Sequence, residues 1–467
     1  MVFSSLDFLL WFLPVFFISY FLSTNKYKNL IILLYSLFFY AYGNILHTIE
    51  YFFLIIISII INYIFGLLIG KDSRFKYVHF SFAIIFNVSI LFIFKYYNLF
   101  IKFINDFFIK SDNMKLTEPN IILPIGISFY TFQMLSYIID VYRDKNNKEK
   151  NLINLSTYMI MFPQLIAGPI VKYSSIKNEL KVKNINYKNI LNGFYLFSIG
   201  LFYKVILANN LSIIWQKIHG LGYNGISSYL AWFGMYSFSF QLYFDFFGYS
   251  LMALGLGKIM GFTFPINFNE PYSSKSISEF WRRWNMTLGS WFREYIYIPL
   301  GGNRKGTFKT IINLFIVWFL TGLWHGASYN YVIWGMSLYL LILIDKFLIK
   351  KLPFDTTFLG HLIVILFVPF TFLIFAIENP VDLHEYLLRI LNLGTTYGNN
   401  KDIIQFINDY GKIFIISILF MTPIPRKIYN FIKNKHLIII PISIAIIITS
   451  IYLIYIGLND PFLYFRF

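Results

Sequence analysis

The chain is 467 residues long, 57% hydrophobic and only 13% charged, with a mean hydropathy of +0.62. A soluble chain of this length carries about 25% charged residues, so the composition excludes a water-soluble globule and implies a polytopic, all-α membrane protein. The net charge of +17 fits cationic cytoplasmic loops rather than a nucleic-acid surface, and the lack of cysteine excludes disulfides, thiolate nucleophiles and cysteine-bound metals.

Residues 6–22 form the first apolar run. No Lys or Arg precedes it and no small-residue cleavage site follows, so it reads as a retained span with its N-terminus outside. Runs at 30–46, 51–70 and 78–97 then alternate, with Lys71, Arg74 and Lys76 marking the inside. Residues 98–115 mix Phe, Ile, Asn and Lys and read as interfacial. Residues 121–142 return inward to Arg143, Lys145, Lys148 and Lys150. The apolar stretch 155–170 has basic loops on both sides and contains Pro163, Gly168 and Pro169. It reads as a re-entrant segment in a cavity wall, since irregular backbone at membrane depth must be covered by protein or water.

Residues 190–207 go out, and 229–255 come in carrying Gln241, Asp245 and Tyr249. Asp245 is read either as half of a structural salt bridge or as cavity lining. The most polar internal stretch, 267–309, falls on the cytoplasmic side with Trp281, Trp284, Trp291, Tyr295 and Tyr297 as interface aromatics. The spacing of Phe280, Trp284, Leu288 and Trp291 predicts an amphipathic helix, ended by Gly301 and Gly302. A span from 311 is followed by 331–348 and 358–377, a polar external loop over 378–410 with a surface helix, a short span at 413–423, and a last exit at 437–456. The expectation is about twelve spans, within a range of about 11–13, with both termini outside.

Of seven histidines only His325 is both deep and framed by small and aromatic residues, in the run TGLWHGAS from Thr321 to Ser328. At 1.5 Å per residue it lies about 21 Å beyond Ile311, past the middle of a hydrocarbon core roughly 30 Å thick. Gly322, Gly326 and Ala327 leave room for a second backbone or a ligand. No acid or histidine stands at zinc-ligand spacing and no GxSxG elbow is present, so neither a metal nor a serine nucleophile is expected. A neutral imidazole away from water can accept the proton of a hydroxyl, which suits attack of an alcohol on a thioester. Asn285 can position a group or stabilise an oxyanion. A basic cytoplasmic face would draw in an anionic donor such as a coenzyme A thioester.

The runs EFWRRWNMTLGSWFREYIYIPLGGNR and GLWHGAS, with FPQLIAGPIVKY upstream, resemble the membrane-bound O-acyltransferase family. The nearest branch is the bacterial one of the alginate and peptidoglycan O-acetylation membrane proteins, with teichoic acid D-alanyl transferases more distant. The resemblance implies one membrane domain over 1–467, with peripheral spans in 1–120, a catalytic core in 121–350 and further spans in 351–467. It implies a tunnel with His325 as its catalytic histidine and Asn285 beside it. Tunnel or donor-binding candidates are Trp281, Arg282, Arg283, Trp284 and Arg293 of the polar stretch, Trp324 next to the histidine, Asp245, and Gln164 of the re-entrant segment. The polysaccharide branch often carries His where this chain has Asn285, which leaves His325 as the base. The branch's Asp-Phe-Ser-Gly-Tyr-Ser-Asp reads DFFGYSLM here, from Asp245 to Met252, so Phe247 and Leu251 depart from it while Asp245 and Tyr249 remain.

The tail NDPFLYFRF, Asn459 to Phe467, reads from composition as an aromatic interfacial anchor. By the resemblance Tyr464 is a transient acyl carrier, handing its acyl group to a separate extracytoplasmic SGNH-type transferase. The implied activity is transfer of acetyl from cytosolic acetyl-CoA across the bacterial cytoplasmic membrane to an envelope or exported polysaccharide, directly or through that partner, with no bound cofactor. D-alanyl transfer to teichoic acid from a carrier-protein thioester is the alternative. A non-enzymatic transporter or scaffold would need coupling-ion sites or repeat symmetry, and the sequence displays neither.

Overall fold

The computed structural model describes residues 1–43, 48–71, 74–107, 115–117, 121–353, 355–393 and 401–457. His47, Tyr464 and the tail from Asn459 lie outside the described residues. Among those described, every regular element is a helix. Eight are long and apolar enough to cross a membrane: 49–69, 76–105, 187–220, 306–325, 329–351, 357–376, 402–421 and 436–455. The expected figure of about twelve exceeds this because Asp7–Leu22, Lys28–Gly43 and Ile127–Arg143 are shorter. The 32-residue helix Ser228–Ile259 is also outside the eight. It carries buried Ser237, Ser239, Gln241, Asp245 and Ser250 and is buried on nearly every side, so its polar groups face protein.

Three boundaries differ from expectation. Helix Lys76–Phe107 continues into the segment read as interfacial, as far as Phe107. Helix Asp402–Met421 begins inside what was expected to be loop, although the surface helix Pro380–Ile390 is present. The polar stretch holds two short helices rather than one, Ile277–Arg283 and Met286–Phe292, broken at Asn285, whose backbone is left-handed (φ 42°, ψ 55°). Aromatic periodicity continues across that break, and periodicity alone does not reveal a single residue in the left-handed region.

The chain divides into two compact units, residues 1–192 with 256–265 and residues 193–255 with 266–467. In the first, helix Leu152–Ile160 stops at Met161 (ψ 121°) and the chain makes a short turn, Phe162–Leu165, before running irregularly to the helix at Tyr173. Residues 155–171 of this broken segment are all buried, as irregular backbone in an apolar setting requires. The Phe162 ring is enclosed by Phe3, Phe8, Phe12, Phe16 and Phe39, and its backbone N–H donates to Ser36 Oγ at 3.0 Å.

In the second unit, the residues from 193 onward in helix Tyr187–Gly220 run antiparallel to Ser228–Ile259. Their seam is made of glycine. A Cβ on Gly200 would meet the Gly248 carbonyl oxygen at 2.6 Å, and one on Gly255 would meet that of Gly193 at 2.6 Å. Close backbone approach of this kind is how helices associate where lipid gives no hydrophobic drive. The helices Gly306–His325 and Tyr329–Phe347 form a second antiparallel pair, and they carry the site described next.

Candidate active site

His325 is the last residue of its helix, because Gly326 takes up extended backbone (φ 175°, ψ 171°) and the chain turns into the next helix at Tyr329. The two helices touch through glycine: a Cβ on Gly322 would meet the Tyr331 carbonyl oxygen at 2.6 Å, and one on Gly335 that of Trp318 at 2.5 Å. Only residues without a side chain permit this crossing. It brings Trp334 against the imidazole. The His325 ring, 5% exposed, meets Trp324, Trp334 and Phe375 edge to face with centroids 4.7, 4.8 and 5.2 Å apart. Three aromatic walls fix the ring's orientation and exclude bulk water from those sides.

One side opens on a cavity of about 700 Å³. Helix Gly306–His325 lines it with Leu314, Val317, Trp318, Thr321 and His325, a single helical stripe. Helix Tyr329–Phe347 lines it with Trp334, Ile342 and Lys346, and Lys350 follows on the same four-residue spacing. The antiparallel crossing therefore sets the imidazole and Trp334 at one end and the two ammonium groups at the other, Lys346 about 18 Å from Trp334 along the helix at 1.5 Å per residue and Lys350 beyond it. Arg282 and Arg293 are the other two cationic side chains in the lining, and among the described residues it contains no acid.

The two short helices form the third wall. Ser276 caps the first, its hydroxyl accepting from Glu279 N at 3.1 Å while the Glu279 carboxylate accepts from Lys275 N at 2.8 Å. That carboxylate also pairs with Arg283 at 2.6 Å. Burial alone would raise the Glu279 pKa, but the Lys275 N–H and the Arg283 guanidinium outweigh it and hold the carboxyl below the usual glutamate value. The second helix is capped from outside. Asn267 accepts Met286 N on its carbonyl at 2.9 Å and the Thr287 hydroxyl on its side chain at 2.6 Å. Between the helices Asn285 is 5% exposed and lines the cavity. Asn and His both tolerate the left-handed backbone adopted there.

Of the residues singled out from sequence, His325, Asn285, Trp281, Arg282, Trp284 and Arg293 line one cavity. Trp324 meets the imidazole edge to face from outside it, and Arg283 turns to Glu279. Asp245 is not in the lining; it pairs with Lys204 Nζ at 2.9 Å, both side chains 1% exposed. Tyr249 is buried and also outside the lining. Gln164 belongs to the first unit, where its side chain accepts a hydrogen bond from Gln133. Among the described residues no cluster of His, Cys, Asp or Glu could hold a metal ion.

Sequence reasoning passed over Lys346, Lys350, Trp334 and Asp345. Asp345 is 1% exposed, accepts from the Ser278 N–H at 3.1 Å and from its hydroxyl, and stands 3.6 Å from Lys350. It ties the first short helix to the cationic end of the cavity. The available signal was the four-residue spacing of Ile342, Lys346 and Lys350 at the end of the apolar run that holds Trp334.

The model of the membrane-bound O-acyltransferase family matches residues 9–380. The chain is 39% identical over 383 residues to a probable alginate O-acetylase of Pseudomonas aeruginosa, covering 81% of this chain and 72% of that protein. It is 37% identical over 377 residues to a peptidoglycan O-acetyltransferase of Helicobacter pylori, covering 72% and 68%. A teichoic acid D-alanyltransferase of Bacillus subtilis is 34% identical over 277 residues, 55% of this chain and 69% of that protein.

Proposed function

The chain belongs to the membrane-bound O-acyltransferase family and is a membrane O-acyltransferase, and from that premise we propose that it takes acetyl from cytosolic acetyl-CoA and passes it across the bacterial cytoplasmic membrane for O-acetylation of an envelope or exported polysaccharide. The cavity supports this reading: an imidazole held by aromatics at one end, apolar wall between, and Arg282, Arg293, Lys346 and Lys350 without an acid in the lining among the described residues. The phosphates of coenzyme A match those cations, and the pantetheine arm matches the length between them and His325. The longer identity to the O-acetyltransferases favours acetyl over D-alanyl.

In the step proposed, neutral His325 accepts the proton of the attacking hydroxyl. The oxygen adds to the thioester carbonyl, the C–S bond breaks, and the coenzyme A thiolate leaves with the proton returned by the imidazolium. Asn285 supplies an amide donor to the developing oxyanion. The hydroxyl is that of Tyr464, by resemblance, and a phenyl ester so formed hands acetyl to an extracytoplasmic SGNH-type partner. The distribution of basic residues supports a cytoplasmic position for the cationic end of the cavity and both short helices, with both termini outside.

Replacing His325 with Ala tests the assignment. Base-labile O-acetyl on the cell's polysaccharide should disappear while the protein stays in the membrane; acetylation at the normal level would overturn it. Labelled acetyl-CoA followed by mass spectrometry of the C-terminal peptide reads both the acyl group and the acceptor, and label on a residue other than Tyr464 would remove the tyrosine from the scheme.

A further inference from the structure

The segment between helices Asp402–Met421 and His436–Tyr455 takes no part in the site. It holds a nine-residue helix, Ile424–Ile432. Ile424, Ile428 and Phe431 stand on one face of it, 44%, 54% and 72% exposed. Around them are Arg426, Lys427, Lys433 and Lys435, and no acidic residue occurs in the chain between Asp409 and Asp460. Lys435 Nζ lies 3.9 Å over the Phe431 ring, so the cation rides at the edge of the apolar face. Turns of two and three residues join this helix to its apolar neighbours, so it cannot leave the membrane surface.

An exposed apolar stripe edged by cations, fixed at the membrane surface, is complementary to one occupant: a leaflet of anionic lipid, with acyl chains under Ile424, Ile428 and Phe431 and phosphates against the lysines. One of the cations points elsewhere. Arg426 Nη1 donates to Asn269 Oδ1 at 2.8 Å and lies 3.5 Å from the Glu270 carboxylate. Asn269 N in turn donates to the Arg283 carbonyl at 3.0 Å, and Asn267, two residues earlier, caps the helix that follows Asn285. Glu270 itself is left-handed (φ 50°), a conformation a bulky residue keeps only while its surroundings hold it. We propose that helix Ile424–Ile432 is an anionic-lipid-binding element, with Lys427, Lys433 and Lys435 as the phosphate contacts, and that Arg426 transmits its seating to the 267–270 loop bracing the cavity wall. This does not rest on the acetyl-transfer reading.

The test is amide hydrogen exchange on the full chain in nanodiscs of phosphatidylcholine alone and of phosphatidylcholine with one third phosphatidylglycerol. Anionic lipid should slow exchange over 422–435 and over 266–272 together. The variant Lys427→Gln/Lys433→Gln/Lys435→Gln should lose both effects; at roughly fivefold per lysine its preference for anionic lipid falls by on the order of a hundredfold. Arg426→Gln should keep the protection over 422–435 and lose that over 266–272. Equal exchange in the two discs, or a triple variant that responds like the wild type, overturns lipid binding. An Arg426→Gln variant that still protects 266–272 overturns the transmission. Protection by a soluble acidic protein in neutral discs, with none from anionic lipid, reassigns the face and overturns the proposal. None of these readouts requires acyl transfer, so an inactive enzyme leaves them interpretable.

Discussion

Asp245 and His325 are both buried ionisable groups of the second unit, and their surroundings are built in opposite ways. At Asp245 the carboxylate meets Lys204 Nζ at 2.9 Å, the same ammonium reaches Asn209 Oδ1 at 3.1 Å, and both charged side chains are 1% exposed. The pair continues the glycine seam in register: residue numbers sum to 448 for Gly193 with Gly255 and for Gly200 with Gly248, and to 449 for Lys204 with Asp245. At His325 the walls are aromatic, a cavity of about 700 Å³ begins at the ring, and the lining carries four cations and no acid among the described residues. In the reading proposed above, a buried ion pair that is matched and closed in, as at Asp245, serves the fold, and a neutral imidazole facing a void serves the reaction. Depth in the membrane does not separate the two.

The largest effect should fall where the void is. His325→Ala removes the proposed general base, a contribution typically of 10²–10⁴-fold in rate. We expect labelled acetyl transfer to drop by that factor while detergent-solubilised protein elutes as the wild type does. A variant that unfolds instead would make His325 resemble Asp245 and break the comparison. The converse holds for the ion pair. Asp245→Asn leaves the Lys204 ammonium buried beside a neutral amide, a change that costs about 3–5 kcal/mol. Thermal unfolding should move sharply down, and Lys204→Met with Asp245→Leu should recover most of the loss, because a buried pair exchanged whole for apolar residues is often neutral. An Asp245→Asn protein with normal melting and no transfer would place Asp245 in the reaction.

The cationic end sharpens the contrast. Lys346→Gln and Lys350→Gln should each raise the KM for acetyl-CoA by about 10–100-fold, as loss of a charge-assisted hydrogen bond of about 1.5–3 kcal/mol implies, with kcat changed less. Asp345→Asn should act through Lys350 and the Ser278 end of the short helix, and so should lower stability as well as donor binding. Equal KM values across wild type and both lysine variants would detach these residues from the donor.

These residues also mark where the sequence stops being readable. Hydropathy is a property of a segment alone, so the apolar runs, the broken stretch at Pro163 and the singular setting of His325 are legible in the order of residues itself. Lys346 and Lys350 look there like the positive end of an ordinary span. What gives them a cavity in common with the imidazole is the crossing at Gly322 and Gly335, a contact between two segments that neither encodes alone. Asp245 stays open between salt bridge and lining, because its partner lies 41 positions away and only the glycine seam aligns them. Asn285 hides a break inside a helical aromatic pattern. Helix Lys76–Phe107 runs past its expected end because Asn98 and Asn105 find backbone partners at Ile121 and Leu116.

A third ion pair gives the small end of the scale. Arg283 and Glu279 are 2.6 Å apart, one helical turn from each other, and 30% and 23% exposed. Water screens them, so an i,i+4 pair of this kind is worth about 0.3–0.5 kcal/mol, far below the buried pair. Because the Glu279 carboxyl is held below its usual value in the folded chain, its contribution is complete at neutral pH. It declines as pH falls from the ordinary glutamate range through the lower folded value, where folded and unfolded chains are both protonated. Melting curves of wild type and Glu279→Gln should therefore differ by on the order of 1 °C at neutral pH and converge in acid. A gap as wide as that for Asp245→Asn, or one that widens as the pH drops, would mean that exposure is not what separates the pairs.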